Sequence, residues 1–296
     1  MRCFILLKVL VTGATGFVGA NLVRALLLKP DIELYILTRR TSDLWRLGDC
    51  KQAIAGIIHC NLEARSEVFE IMEKLKPGLV YHIATYGGFP SQNDHTQMLQ
   101  SNVQATMNLL DAAIASGVTT FINTGTSSEY GLKNHPMKEM DLCEPVNFYG
   151  ITKLAATNYC TMLGRTSPIK VCTLRLFSPY GELEDFSRLY PSIVSSLLNK
   201  ERPKLSRPQS VRDFIAIERV IQVYLNIIHA DFSSGDIINV ASGQQQTIEQ
   251  FYQAIAIKLN KTNLEPIWGE APPRANEPQM WQADVSKLKS LLPQIL

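Results

Sequence analysis

The sequence predicts an α/β fold: a doubly wound parallel sheet with a smaller C-terminal lobe interleaved with it. Three observations predict this. The apolar run Phe4 to Val11 leads directly into Thr12-Gly-Ala-Thr-Gly-Phe-Val-Gly19 and then into a helical run, Ala20 to Leu28. Strand-like and helix-like segments alternate through about the first 175 residues. Beyond Arg175 the pattern loosens and prolines punctuate it, from Pro179 to Pro278. Short apolar runs rich in branched residues suit strands buried on both faces. Their alternation with helices implies parallel pairing through right-handed crossovers.

Each element follows in order. Glu33 to Thr38, Ala55 to Cys60, Gly78 to Ile83, Thr119 to Asn123 and Ile169 to Leu174 read as strands. Glu67 to Leu75, Met98 to Ser116 and Tyr149 to about Leu163 read as helices, with a polar turn at Thr124 to Glu129. Further on, Ser187 to Asn199, Glu218 to His229, Thr247 to Leu259 and Val285 to Leu292 read as helices. Ser210 to Ile217 and Ile237 to Ala241 read as short strands. The expected organisation is a first domain over 1–175 and a smaller lobe over 176–296 that supplies the other side of a cleft.

At 296 residues the chain can bury a large core. Its formal net charge of +2 and the lack of any Lys/Arg block give no reason to expect a nucleic-acid partner. Six scattered cysteines without a C-x-x-C pair argue against a structural zinc site or a disulfide framework. They suit a reducing compartment, so a cytoplasmic protein is expected. The apolar N-terminus lacks a cleavage-site pattern and reads as the first strand. No stretch is long and apolar enough to span a bilayer.

The glycines of the first turn, Gly13, Gly16 and Gly19, are spaced G-x-x-G-x-x-G. Such a turn brings bare backbone to a dinucleotide pyrophosphate, and the following helix offers free N–H groups and a positive dipole end. The sheet is therefore expected to be of the Rossmann type. A NAD site usually carries an acid at the end of the second strand. Here the chain reads Thr38-Arg39-Arg40, with no acid before Asp43. Two guanidiniums suit a 2′-phosphate, so NADP(H) is favoured and NAD(H) remains open. The same two arginines also fit a solvated loop.

Tyr149-Gly-Ile-Thr-Lys153 places a phenol and an ammonium on one helical face. A nearby cation favours the phenolate and lowers the tyrosine pKa, giving a proton donor or acceptor usable near neutrality.

These motifs occur in a fixed order with Arg175-Leu-Phe-Ser-Pro-Tyr-Gly181 and Arg212-Asp-Phe214, from about Lys8 to Leu292. In this the chain resembles the extended short-chain dehydrogenase/reductase family of nucleotide-sugar epimerases, dehydratases and reductases. The resemblance implies a catalytic set of Thr126, Tyr149 and Lys153. It implies a dinucleotide along Gly13, Thr15, Gly16, Phe17 and Val18, with Arg39 and Arg40 at the adenosine end. Asn61, Leu62, Ala84, Thr85, Thr124 and Phe177 complete that site, together with Tyr149 and Lys153. It implies a sugar nucleotide held by Tyr86, Thr126, Ser127 and Ser178, with Arg188, Arg212 and Arg274 as candidate diphosphate ligands. Asn102 matches a position that orders the site. At its tail, Leu291-Leu-Pro-Gln-Ile-Leu296, the chain departs from the family, which continues through a Gly-Trp segment.

Three chemistries share this scaffold. A 4,6-dehydratase carries an acid within two residues after the catalytic Thr. Here Ser127 and Ser128 stand there, with Glu129 one place further. A 4-epimerase, which keeps one NAD bound, favours the missing acid after the second strand. A 4-keto reductase using NADPH suits the Arg39-Arg40 pair. Segments 83–88 and 274–280 are also similar to those of reductases that make deoxysugars such as abequose. Reduction of a nucleoside-diphosphate 4-keto-6-deoxyhexose is therefore expected, with an NAD-dependent 4-epimerase as the alternative. A rival from another class, a non-enzymatic cofactor-binding or RNA-associated scaffold, is opposed by the intact Thr126, Tyr149 and Lys153. A homodimer is expected through the helices at Met98 to Ser116 and Tyr149 to Leu163, whose apolar stripes fit intramolecular packing equally well.

Overall fold

The computed structural model describes residues 6–270 and 277–295. Strand β1 (Leu7–Thr12) runs into the glycine turn and helix α1 (Phe17–Leu26). Then come β2 (Ile32–Thr38), β3 (Gly56–His59), α2 (Arg65–Leu75) and β4 (Leu79–His82). The next helical stretch has three parts: α3 (His95–Met98), a π-helical segment at Leu99–Gln104, and α4 (Ala105–Ala115). Strand β5 (Thr120–Thr126), α5 (Phe148–Thr166) and β6 (Lys170–Leu176) follow. β7 (Ser178–Tyr180), α6 (Leu189–Leu198), β8 (Lys204–Leu205), β9 (Val211–Ala216) and α7 (Ile217–Ile227) lead to β10 (Asp236–Val240). The chain ends through β11 (Gln245–Thr247), α8 (Ile248–Lys258), β12 (Ile267–Trp268) and α9 (Ser286–Leu291).

The large sheet has seven strands in the order β10-β6-β5-β4-β1-β2-β3, all paired in parallel. Strand order reverses between β1 and β4. A doubly wound sheet opens a crevice at the carboxyl ends of its strands at such a point. The interior strands are apolar on both faces because helices cover both. Val9, Val11, Ile36 and Tyr81 pack with α1 and α7 on one side. Leu10, Leu37, Val80 and Phe121 pack with α2, α4 and α5 on the other. β10 returns to the large sheet from the second half of the chain.

The second half also builds a three-stranded sheet, β11-β9-β7, and the pair β12-β8. Under them, Ile193, Leu197, Leu205, Phe251 and Ile255 form a smaller core. Several boundaries differ from expectation. β5 continues through Thr126 instead of turning at Thr124, because Thr124 to Thr126 still pair with β6. The helix expected from Met98 begins at His95, where the Asp94 side chain caps it by accepting from Gln97 N. The strands β7, β8, β11 and β12 have three residues or fewer, too short to show a period in sequence.

Candidate active site

At the reversal between β1 and β4, one continuous cleft of about 1200 Å³ opens above the strand ends. Gly13 sits in the left-handed region at φ 67, and a Cβ there would lie 2.5 Å from the Ala84 nitrogen. Only glycine closes this corner. The corner is held from below. Thr12 Oγ1 accepts weakly from Ile83 N and Ala84 N, at 3.2 and 3.3 Å. Its hydroxyl bonds His82 Nδ1 at 2.7 Å. His82 Nε2 meets Thr106 Oγ1 at 2.9 Å, and that hydroxyl donates to the Asn102 carbonyl at 2.7 Å. Burial and the Lys153 charge push the His82 ring down to about 3, so it is neutral and bridges β1, β4 and α4.

Helix α1 starts at Gly16, which offers no side-chain cap, and its first turn holds no acid. Its free N–H groups and dipole end suit an anion. Gly13, Thr15, Gly16, Phe17 and Val18 line the cleft here, with Asn61, Leu62, Ala84, Thr85, Thr124 and Phe177 along the same wall. The donor set and the bare glycine corner fit a dinucleotide pyrophosphate.

One expectation just after β2 needs correction. Arg39 lines the cleft, but Arg40 is exposed and off its wall. Successive residues leaving a strand point apart, so one guanidinium of the pair faces the crevice. Ser42 and Arg46, which the sequence reading passed over, line it as well.

Tyr149 and Thr126 line the same cleft. Tyr149 is the second residue of α5, a helix capped by Asn147, whose Oδ1 accepts from Gly150 N at 2.8 Å. Thr126 ends β5 and caps the short helical turn 127–129, with Oγ1 accepting from Ser128 N. Asn102 ties the segment after β4 to α5. Its Oδ1 accepts from Thr85 Oγ1 and Tyr86 N, at 3.0 and 2.9 Å. Its Nδ2 donates to the Tyr86 carbonyl and Thr152 Oγ1, at 2.7 and 3.0 Å. Thr152 in turn donates to the Tyr149 carbonyl. Asn102 lies in the π-helical segment, a wide turn that often marks functional positions. Gly87, at φ 100, lets the backbone pass against the Tyr149 ring, where a Cβ would sit 3.0 Å from Cδ2.

The expected depression of the Tyr149 pKa is not what the protein's own groups produce. Burial raises it and the Glu129 charge adds to this, while hydrogen bonds from Thr85 and Thr126 and the Arg188 charge oppose. Lys153, one turn further along α5, is 2% exposed and lies behind the cleft wall. Burial lowers its pKa, against the Glu129 charge. The i, i+4 spacing shows that the two groups share a helical face but not how far each is desolvated, and burial is the largest cause of the shift in both.

Glu129 is the acid nearest Thr126, and it is sealed. It is 0% exposed. Its Oε2 accepts from Arg175 Nε at 2.7 Å and its Oε1 from Thr126 N at 2.8 Å. Arg175 is also buried and stacks on Tyr130, 4.5 Å from its centroid.

Tyr86, Ser127, Ser178, Arg188 and Arg212 line the cleft as well. Arg188 donates to the Gly88 carbonyl and stacks on Phe89, 4.2 Å from its centroid. Arg212 donates to Glu277 Oε1 and to the Val211 carbonyl, both at 2.5 Å. Arg274 lies outside the described residues. Phe214 and Phe251 stack at 3.8 Å and 10°, with Tyr180 edge-on to Phe251 at 4.9 Å. All three line the cleft. Glu184 lines it too, and its Oε2 is buried without a hydrogen-bond partner among the described residues. Burial pushes that carboxyl up to about 7, against the Arg188 charge. Nothing in the spacing of residues 181–188 distinguishes Glu184 from its exposed neighbour Glu182. No helix among the described residues is long and apolar enough to cross a membrane.

The chain is 26% identical over 297 residues to YtcB of Bacillus subtilis, an uncharacterised UDP-glucose epimerase, covering 97% of this chain and 92% of that one. It is 27% identical to the GDP-6-deoxy-D-mannose reductase of Pseudomonas aeruginosa, covering 91% and 86%. The structure of UDP-glucuronic acid 4-epimerase from Bacillus cereus, in complex with UDP-glucuronic acid and NAD, shares the fold. Its TM-score is 0.82 at 24% identity, covering 97% and 93%. Residues 9–241 match the model of the NAD dependent epimerase/dehydratase family, and the chain belongs to that family.

Proposed function

We propose that the protein is an NAD(P)-dependent oxidoreductase acting on a nucleoside-diphosphate sugar, and that it reduces a 4-keto-6-deoxyhexose nucleotide with NADPH. The observation that carries this is the shared cleft. The glycine turn, Thr126 and Tyr149 line one cavity, with Lys153 one turn behind. The dinucleotide, when bound, supplies a hydride at the nicotinamide ring. The chain's own residues do the rest. The Tyr149 hydroxyl gives its proton to the C4 oxygen as that carbon is reduced. The Thr126 hydroxyl donates to the same oxygen and orients it. Both groups stabilise the negative charge that develops there. Lys153, one turn further along α5, would stabilise the phenolate left behind. A phenol raised by burial stays protonated at neutral pH, so it is poised as an acid, the role reduction requires.

Elimination of water is disfavoured because Glu129 is committed to Arg175 and to Thr126 N. Arg39 and Ser42 line the cleft just after β2, with no acid between Thr38 and Ser42, which supports NADP(H). The name of the Pseudomonas relative supports a 6-deoxyhexose ketone. A second reading, an NAD-dependent 4-epimerase, is supported by the epimerase name of the Bacillus subtilis relative and by NAD in the Bacillus cereus structure. A homodimer is supported by the half-exposed apolar side chains Leu99, Ile151 and Met162 on the helices around the site. Light scattering of the purified protein tests this.

Stoichiometry separates the two reactions. The reductase reading expects exchangeable NADPH consumed one-for-one with the ketosugar. Tightly held NAD⁺ that co-purifies and is never consumed, with interconversion of 4-epimers, would replace it with the epimerase reading.

A further inference from the structure

One cluster beside the glycine turn has no part in the chemistry above. Arg46 lies in the short helical turn Trp45–Leu47 that follows β2. Its Nε donates to the Leu183 carbonyl at 2.7 Å and its Nη1 to the Thr15 carbonyl at 3.2 Å. Three separate segments, the glycine turn, the residues after β2 and the loop after β7, are thereby tied together at the rim of the cleft. Arg24 holds the turn in place by donating to the Arg46 carbonyl at 2.8 Å while pairing with Asp49. Above it, Trp45 stacks on Phe186 at 6.2 Å and 17°. The Arg46 guanidinium sits over the Trp45 ring, 4.3 Å from its centroid.

Two features of this cluster point to a ligand. Arg46 is desolvated enough that burial lowers its pKa, against the charges of Asp185 and Asp43. Yet among the described residues it forms no salt bridge within 4.0 Å, and both acceptors are neutral carbonyls. A desolvated guanidinium without a paired anion stabilises any anion that enters beside it. Second, Leu183 is held at φ 66, a conformation disfavoured for a leucine. Backbone strain of this kind collects at ligand clamps. Trp45 and Phe186 are 46% and 77% exposed, so neither serves the core.

We propose that Arg46 is a ligand for the pyrophosphate of the dinucleotide, and that the Trp45–Phe186 stack is a clasp that must open for the dinucleotide to leave. This rests on the reading that the cleft takes a dinucleotide. The contact with Thr15, inside the glycine turn, puts the guanidinium at the pyrophosphate rather than further along at the ribose. The clasp joins the loop that leads into α6 to the cofactor lobe, so cofactor release is coupled to the wall that carries Glu184 and Arg188.

The test measures dinucleotide binding and release with the full chain. Wild type is titrated with NADH, NADPH and ADP-ribose, then compared with Arg46→Gln, Arg46→Lys and Phe186→Ala. Dissociation rates are read by stopped-flow fluorescence. Arg46→Gln is expected to weaken all three ligands alike, by roughly ten- to hundredfold, and Arg46→Lys to recover part of the loss. Phe186→Ala, at an exposed position that threatens no core packing, is expected to speed dissociation by roughly three- to tenfold. Adding Trp45→Ala to it should change little more, since one stack is lost in either case. Loss confined to NADPH would assign Arg46 to the 2′-phosphate and overturn the proposal. So would unchanged affinities in both Arg46 variants, or an unchanged dissociation rate in Phe186→Ala. Failure of the wild-type protein to bind any of the three would remove the dinucleotide reading itself.

Discussion

Replacing Glu129 by Gln tests whether the acid nearest the site is structural or chemical. Glu129 and Arg175 have side chains 0% and 2% exposed, joined at 2.7 Å. The amide keeps the volume and can still accept from Thr126 N through its oxygen, but it removes the anion. The guanidinium is then left buried and uncompensated. Among the described residues Arg175 Nη1 has no hydrogen-bond partner, and Glu129 is the one carboxylate within salt-bridge distance. Removing one partner of such a pair costs about 3–5 kcal/mol. At about 2–4 °C per kcal/mol for a chain of this order, the melting temperature should fall by roughly 6–20 °C. The double variant Glu129→Gln/Arg175→Met should regain most of that loss, because an apolar pair replaces an ion pair at little cost. Thermal and denaturant unfolding of the four proteins closes the cycle. A Glu129→Gln protein that melts within about 1 °C of wild type while losing turnover a hundredfold would refute the structural assignment and make Glu129 an acid/base group.

Three further outcomes follow from the same geometry. Glu184, at about 7 in the folded chain against an ordinary 4.5, holds its proton in the fold at pH values where the unfolded chain has lost it. Stability should therefore fall as pH rises from about 4.5 to 7, by about 1–2 kcal/mol once solvent screening is allowed for. Glu184→Gln should abolish that slope in melting curves taken from pH 4.5 to 8, and an unchanged slope would contradict the assignment. Asn102→Ala strands the partners of four hydrogen bonds and should cost about 2–4 kcal/mol. It should lower kcat more than it raises the KM for the cofactor, in steady-state assays. Gly13→Ala forces a Cβ to 2.5 Å from Ala84 N at φ 67. It should abolish dinucleotide binding by titration calorimetry and cost more than about 2 kcal/mol of stability.

Much of the scaffold was legible because it obeys local periodicity. The run ending at Val11, the glycines that follow and the alternation up to Leu174 all map onto β1 to β6 and their helices. Tyr149 and the glycine turn show in the spacing of residues and Thr126 in the family resemblance, and all of them line one cleft. What stayed hidden depends on long-range contact. Glu129 and Arg175 are 46 positions apart, so the sequence shows an acid near Thr126 but not the arginine that pairs with it. Arg46 and Leu183 are 137 positions apart, and a guanidinium serving a backbone carbonyl leaves no pattern in side-chain chemistry. The Arg39-Arg40 pair looked symmetric until β2 set which one faces inward. The direction of the Tyr149 shift was misread for a related reason. Spacing reveals a neighbouring charge, while desolvation depends on everything that packs around the ring.

The most direct measurement is the turnover of Tyr149→Phe with NADPH and a nucleoside-diphosphate 4-keto-6-deoxyhexose, read by loss of NADPH absorbance beside a binding titration. With the hydroxyl gone, turnover should fall by roughly 10²–10⁴-fold while the dissociation constant for NADPH stays within about twofold, since the ring still fills its place beside Gly87. A variant that keeps more than about a tenth of wild-type turnover would contradict the assignment of Tyr149 as the proton donor.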